Sequence, residues 1–317
     1  MSRCLVTGAA GFIGSHLCEA LLAAGHRIVG VDCFTEYYDP ARKRANLERA
    51  RRMGLQFVEA DLVSASLEAL VADADVVFHL AGQPGVRASW GGEFDLYAIR
   101  NVVATQRLLE ACAQRCTPRF VFASSSSLYG GATGAAVEET APRTPVSPYG
   151  LTKAACEDLI DVYRRGSQLS AVSLRYFTVY GPRQRPEMAF ARFIERISAG
   201  LPITIFGDGR QTRDFTYVGD AVAATIAAAE LGSRPAYNVS GGATATLLDA
   251  IAEIERAVGR TAQVTIAEAA RGDARHTRAD LTAAANDLGY QPIVSLAEGV
   301  GLQVAHALGL EHGRWAA

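Results

Sequence analysis

Apolar positions along the chain fall into two alternating patterns. RCLVTG (Arg3–Gly8), HRIVGVD (26–32), LQFVEAD (Leu55–Asp61), DVVFHLAG (Asp75–Gly82), RFVFASS (119–125) and LSAVSLRYF (169–177) are short runs, mostly apolar without a break. Such runs predict strands buried on both faces. Between them, FIGSHLCEALLAAG sets Ile13, Leu17, Leu21 and Leu22 on one helical face and stops at Gly25. NVVATQRLLEACA and YGLTKAACEDLIDVYRRG predict two further helices. Alternating strands and helices mean an α/β chain with a doubly wound parallel sheet covered on both faces. Beyond Gly181 the pattern loosens into mixed elements. We expect residues 1–180 to form the first domain, with a segment of about 212–240 returning to it. Residues 181–317 form a smaller α/β region over the carboxyl ends of the strands, where open sheets bind ligands.

Composition narrows the functional classes. The chain has 317 residues, 49% of them hydrophobic, enough for a large core. Its formal charge of -2 supplies no field for nucleic acid or an anionic membrane. No apolar run approaches the roughly 20 residues that span a bilayer. Met1 to Arg3 lead straight into a strand, with no signal-peptide core, so a cytoplasmic protein is expected. The six cysteines read as buried, reduced thiols, although Cys112 and Cys116 have the spacing of a helical ligand pair. The six histidines are scattered, and His79 reads as strand core. No metal site is expected.

The first candidate chemistry lies in Gly8-Ala9-Ala10-Gly11-Phe12-Ile13-Gly14, between the first strand and the first helix. Residues without a side chain let the backbone approach a pyrophosphate, and the helix start supplies N–H donors. In this strand–turn–helix setting the glycines predict a Rossmann-type dinucleotide site. Asp32 closes the second strand 18 positions after Gly14, as a carboxylate on an adenosine ribose does. It would repel a 2′-phosphate, which favours NAD over NADP. Arg42, Lys43 and Arg44 temper that preference, unless they form a solvated helix face. Asp61 is placed either to accept from the adenine amino group or to cap a helix.

The second candidate is Tyr149-Gly150-Leu151-Thr152-Lys153 at a helix start. Tyrosine and lysine four apart share a helix face. A phenol ionises near pH 10 and is a weak base at neutral pH. A nearby ammonium, with a positive nicotinamide, stabilises the phenolate, and the lysine can also hold the nicotinamide ribose. Upstream stands FASSSSLYG, four consecutive hydroxyls at a strand end.

With these motifs in order, the chain resembles the extended short-chain dehydrogenase/reductases, and among them the NAD-dependent nucleotide-sugar epimerases and dehydratases. GAAGFIG, VDCFTEYYD, HLAGQPGVRAS, SSSSLYG, SPYGLTK, RYFTVYGPRQRPEM, IFGDGRQTRDFTYVGD and LGYQP carry the resemblance, over nearly the whole chain. It implies that Ser125, four residues before Tyr129, joins Tyr149 and Lys153 as the catalytic group. In dehydrating relatives the next two positions are Asp and Glu, and decarboxylating relatives carry Glu at the second. Here they are Ser126 and Ser127, so the resemblance implies epimerisation at C4 through a 4-keto sugar. It further implies Gly8, Gly11, Phe12, Ile13, Gly14 and Asp32 around NAD. Lys43, Asp61, Leu62, Leu80, Ala81, Gln83 and Asn101 complete that set. Asn101 also reads simply as a helix residue bonded to the neighbouring strand.

VDCFTEYYD, GVRAS and FTVYGPRQRPEM are similar to the UDP-glucuronate 4-epimerases. That similarity implies that Ser126, Thr178 and Arg185 hold the C6 carboxylate. An arginine fork makes a charge-assisted pair with a carboxylate and discriminates against a neutral hydroxymethyl group. Arg185 also reads as a surface-loop arginine, and UDP-glucose 4-epimerases share much of this stretch. Arg87 and Ser127 are further substrate candidates. IFGDGRQTRDF implies Phe206 near uracil and Arg213 on the diphosphate, joined by Arg271. Thr277, where relatives restricted to unacetylated sugars often carry Tyr, predicts tolerance of an N-acetyl group at C2. The leading expectation is a UDP-glucuronate 4-epimerase. Its alternatives are a UDP-glucose or UDP-N-acetylglucosamine 4-epimerase, a net dehydrogenase, and a catalytically silent NAD-binding protein. Leu108, Leu109, Ala155, Leu159 and Val162 make two helices apolar on more than one side, and the family dimerises through such a four-helix bundle, so a homodimer is expected.

Overall fold

The computed structural model describes residues 1–131, 135–167, 169–269 and 272–310. The six apolar runs form β1 (Arg3–Thr7), β2 (Arg27–Asp32), β3 (Gln56–Glu59), β4 (Val76–His79), β5 (Arg119–Ser125) and β6 (Ser170–Tyr176). Further strands follow: β7 (Val179–Tyr180), β8 (Ile203–Phe206), β9 (Thr212–Asp214), β10 (Thr216–Tyr217), β11 (Ala236–Val239), β12 (Thr244–Thr246) and β13 (Val264–Ala267). The main sheet has the order β11-β6-β5-β4-β1-β2-β3 with every pair parallel. It is a doubly wound, Rossmann-like sheet. Its winding reverses at β1, which pairs with β2 on one side and β4 on the other. Loops leaving β1 and β4 therefore diverge, and the crevice between them is where such sheets take ligands.

The helices are α1 (Phe12–Ala23), α2 (Pro40–Arg52), α3 (Glu68–Val71), α4 (Phe94–Tyr97), α5 (Ala104–Gln114) and α6 (Pro148–Gly166). In the second half come α7 (Ala189–Ser198), α8 (Val218–Leu231), α9 (Leu247–Val258), α10 (Thr282–Leu288) and α11 (Leu296–Ala307). Neighbouring strand residues serve opposite faces of the sheet. Val6 packs with Phe78, Leu17, Leu21 and Val222, whereas Leu5 packs with Val77, Leu108, Cys112 and Ile160. Both sides of each strand must then be apolar, which is why the runs show no alternation. A separate cluster joins α7, α9 and α11 through Phe193, Ile254 and Val304, over Ile203 and Ile205 of β8.

Three expectations change. The helix predicted from Asn101 begins as a π-helical turn over Ala98–Val103 and is α-helical only from Ala104. The cysteines are all free, but Cys33 is half-buried and Cys116 exposed. Cys116 lies past the end of α5 with φ 52°, so it does not share a helix face with buried Cys112. Leu108 and Leu109 are sheet core, so they present no outer face; the exposed apolar residues nearby are Ile99, Val103, Leu151 and Val162. Among the described residues no helix is long and apolar enough to cross a membrane.

Candidate active site

The loop from Gly8 to Gly14 is closed too tightly for side chains. A Cβ on Gly14 would stand 2.1 Å from the Gly8 carbonyl oxygen, and Gly8 itself has φ 71°. α1 then starts without a side-chain cap, an arrangement that suits an anionic diphosphate. Asp32 ends β2 with Oδ1 accepting from Phe34 N (2.9 Å) and Oδ2 from Ala10 N (3.2 Å). The basic run after it divides. Arg44 stacks on Phe34 at 4.1 Å and faces Glu59, and Arg42 is exposed. Lys43 is buried, donates to Thr35 Oγ1 at 3.0 Å and stands 3.9 Å from Asp32. A solvated face thus describes the two arginines and not the lysine. Asp61 caps a turn, accepting from Val63 N at 2.9 Å, and its other oxygen lies 3.9 Å from Arg100.

A cleft runs past the glycine loop, Asp32, Lys43 and Asp61. Gly8, Gly11, Phe12, Ile13, Gly14, Asp32, Lys43, Asp61, Leu62, Leu80, Ala81 and Gln83 line it, together with Tyr149, Lys153 and Arg185. A cradle that excludes side chains, an uncapped helix start and a carboxylate closing β2 fit the diphosphate and adenosine ribose of NAD. Asn101 stands behind the cleft wall. It accepts from Gln83 N at 2.6 Å and donates to Gln83 O (3.1 Å) and Thr152 Oγ1 (3.0 Å). It ties the loop after β4 to α6, from a wide turn of the kind that gathers at functional sites.

Tyr149 and Lys153 face the cleft from the start of α6. Ser147 caps that helix, accepting from Gly150 N at 3.1 Å, and Ser89 accepts from Tyr149 N at 3.1 Å. Gly150 is required here: a Cβ would lie 2.4 Å from the carbonyl oxygen of Ser127. The serine turn is therefore pressed directly against the helix that carries Tyr149. Lys153 Nζ donates to Ala123 O at 2.9 Å and sits 4.7 Å from the centre of the Phe122 ring. Two of its three N–H donors remain for other partners. Ser125 Oγ accepts from Ser127 N at 3.2 Å, which leaves its own proton to donate. Ser124, and not Ser125, is among the residues lining the cleft, but its hydroxyl is engaged, donating to Glu157 Oε1 at 2.6 Å. Ser126 and Ser127 belong to the following turn, Ser126–Tyr129.

Arg185 reaches the cleft rather than open solvent. It is 24% exposed at the side chain, and its Nε donates to Glu187 Oε1 at 2.6 Å. Thr178 lies between β6 and β7, where its carbonyl accepts from Thr216 N. Arg87, Phe206 and Arg213 meet in a second group. Arg87 pairs with Asp273 at 2.6 Å and lies over the Phe206 ring at 4.2 Å. Arg213 donates to the carbonyls of Thr212 and Arg275. Burial pulls the Arg213 guanidinium below its ordinary value, and nearby Asp273 opposes that shift. Arg271 lies outside the described residues. Thr277 accepts from Asp214 N at 3.3 Å, beside Arg213 on β9.

Residues 4–240 match the NAD dependent epimerase/dehydratase family. The chain belongs to this family. It is 43% identical over 319 residues to the uncharacterized UDP-glucose epimerase YtcB of Bacillus subtilis (strain 168), with 98% of this chain and 99% of that protein covered. It is 40% identical over 308 residues to the UDP-glucose 4-epimerase of Mycolicibacterium smegmatis (strain ATCC 700084 / mc(2)155), covering 94% and 96%. The crystal structure of UDP-glucuronic acid 4-epimerase from Bacillus cereus, in complex with UDP-glucuronic acid and NAD, is also similar. Its TM-score is 0.94 at 42% identity, with 98% of this chain and 100% of that chain covered.

Within this epimerase/dehydratase chain, several residues in and around the cleft carry little signal of their own in the sequence. Thr35, Tyr37, Tyr38 and Arg100 line it. The first three sit in VDCFTEYYD and carried a signal in that motif. Burial raises the Tyr38 phenol to about 12, so it stays neutral. Ser89 was visible in GVRAS only as part of a string. Its hydroxyl accepts from Tyr149 N while donating to Val86 O at 2.7 Å. Glu157, four residues beyond Lys153, had no local signal. It forms a buried pair with Arg175 at 2.7 Å.

Proposed function

We propose that the protein is an NAD-dependent UDP-sugar 4-epimerase, an isomerase that interconverts UDP-glucuronate and UDP-galacturonate. The observation that carries the reading is Arg185 lining the same cleft as Tyr149 and Lys153. A guanidinium close to the reacting end of the sugar suits a carboxylate at C6. Ser126 and Ser127 occupy the positions where elimination would require carboxylic acids, which supports epimerisation over dehydration.

NAD, when bound, supplies reversible hydride acceptance at C4. Tyr149 takes the proton of the 4-hydroxyl as that carbon becomes a ketone and returns it afterwards. Ser125, whose oxygen already accepts from Ser127 N, donates its proton toward the reacting oxygen. Lys153, fixed by Ala123 O, stabilises the phenolate by its charge. The Arg87–Phe206–Arg213 group supports a UDP site, with cations for the diphosphate and an aromatic face for uracil. Thr178 and Ser126 would complete the hold on the carboxylate.

A second reading has one specific support. Arg185 already has a carboxylate partner in Glu187, which suits a neutral sugar such as UDP-glucose or UDP-N-acetylglucosamine. A homodimer is part of the proposal, supported by Ile99 and Val103 on one surface and Leu151 and Val162 on the adjacent α6, each at least 43% exposed. A reducing, cytoplasmic setting is supported by six free thiols.

The test is to incubate purified protein with UDP-glucuronate, without added NAD, and follow the anomeric protons by NMR. UDP-galacturonate is expected to appear. Turnover of UDP-glucose or UDP-N-acetylglucosamine but not UDP-glucuronate would move the assignment to the second reading.

A further inference from the structure

Arg185 stands at the end of a turn that the cofactor-side helix holds in place. The chain leaves β7 at Tyr180 and bends through Gly181, Pro182, Arg183 and Gln184. Arg183 has φ 65°, the left-handed region that residues with a Cβ seldom occupy. Such a conformation persists only where the surroundings enforce it, and it gathers at functional sites. Three consecutive anchors enforce it here. The Pro182 carbonyl accepts from His16 Nε2 at 2.9 Å. The Arg183 guanidinium donates to Glu19 Oε1 at 2.7 Å and Ser15 Oγ at 3.2 Å. Gln184 donates to Val179 O and accepts from Ala191 N and Gln303 Nε2.

Ser15, His16 and Glu19 all lie on α1, within its second turn or next to it. That helix begins at the loop whose glycines form the diphosphate cradle. Ser15 is itself fixed to that loop, its N–H donating to Gly11 O at 3.1 Å and its hydroxyl to Phe12 O at 3.1 Å. The Arg183–Glu19 pair is largely buried, with side-chain exposures of 14% and 11%. Arg49 approaches the other Glu19 oxygen at 3.6 Å from outside. A continuous chain of bonds thus runs from the Gly11 turn through Ser15 and Arg183 to the backbone two residues before Arg185.

We propose that Arg183 is a positioning residue: through Glu19 and Ser15 it sets where Arg185 stands relative to the Gly11–Gly14 loop, and so governs discrimination between a sugar 6-carboxylate and a neutral 6-hydroxymethyl group. The inference rests on the reading of Arg185 given above. The physical reason is directional. A charge-assisted fork loses its advantage when the guanidinium shifts or tilts, whereas a neutral sugar held by its UDP moiety does not depend on that fork. Without the guanidinium tether the turn is held to α1 through Pro182 alone, and Arg185 shifts with it.

The test uses the NAD-loaded protein and three variants. Arg183 and Glu19 are both changed to Gln, so that neither charge is left buried alone. Arg183→Lys keeps the charge, and Arg183→Gly accepts φ 65° without strain but lacks the guanidinium. Calorimetric Kd and steady-state KM are measured for UDP-glucuronate and UDP-glucose, with bound NAD and circular dichroism as controls. In the double variant the Kd and KM for UDP-glucuronate rise about tenfold, while those for UDP-glucose stay within about twofold. Arg183→Gly follows the double variant, and Arg183→Lys recovers part of the preference. Equal loss for both sugars, or loss for neither, overturns the positioning role and leaves the reading of Arg185 intact. Wild-type protein with no preference for UDP-glucuronate overturns that reading, and this inference with it.

Discussion

Ser124 on β5 donates to Glu157 on α6 at 2.6 Å, one residue before Ser125 and one helical turn beyond Lys153. Glu157 also accepts from Arg175 Nη2 at 2.7 Å, and Arg175 in turn donates to Tyr129 Oη at 2.7 Å. The pair is nearly inaccessible, at 7% and 5% side-chain exposure. This bridge fixes the separation between the serine-bearing strand end and the helix carrying Tyr149 and Lys153. Removing one charge from such a pair leaves the other buried and uncompensated, which costs about 3–5 kcal/mol. Glu157→Gln should lower the unfolding free energy by about that amount in urea titration. A change under about 1 kcal/mol would mean that the pair is not the brace described.

Tyr149→Phe removes the hydroxyl and leaves the ring. Its turnover should fall at least about 100-fold, with NAD still bound and the fold unchanged. Lys153→Met should lose a comparable factor. Chromatographic quantitation of released NAD, beside kinetics, separates lost chemistry from lost cofactor. Near-normal turnover by Tyr149→Phe would remove Tyr149 from the mechanism.

His16 ties stability to pH. Burial lowers it from 6.5 to about 4, with the bond to the Pro182 carbonyl opposing the shift. An unfolded chain protonates the ring below 6.5, whereas the folded chain resists until about 4. The contribution of the neutral ring is complete above the unfolded value and drains away as pH falls toward the folded one. Linkage makes the loss about 3 kcal/mol. His16→Gln, which can still donate to Pro182, should therefore lose about 3 kcal/mol less than wild type over that window. Denaturant titrations across the same pH range decide it, and identical slopes would contradict it.

The exposed apolar face tests the dimer. Leu151 and Val162 lie three helical turns apart on α6, beside Ile99 and Val103. Val162→Glu should shift the protein to monomers in sedimentation velocity with its fold retained. An unchanged sedimentation coefficient would place the contact elsewhere.

The main sheet was legible because its strands are buried on both sides and read as unbroken apolar runs. The cofactor loop was legible because glycines recur where the backbone leaves no room. The π turn at Asn101 was not, since hydrophobic spacing in one short window does not separate it from an α-helix. Arg183 in the left-handed region carried no signal, because its conformation is enforced by Glu19 from 164 positions away. Glu157 and Arg175 are 18 positions apart and look like ordinary surface charges until the fold buries them. Local pattern reports the elements, whereas braces between elements depend on contacts it does not contain.

The proposed reaction oxidises C4 and returns the hydride to it, with Tyr149 as the base. The most direct measurement follows UDP-glucuronate deuterated at C4 through epimerisation in ordinary water, by NMR and mass spectrometry of the UDP-galacturonate formed. The deuterium should remain at C4 of the product, because it leaves and returns without meeting solvent. Product carrying hydrogen from water at C4 would contradict it.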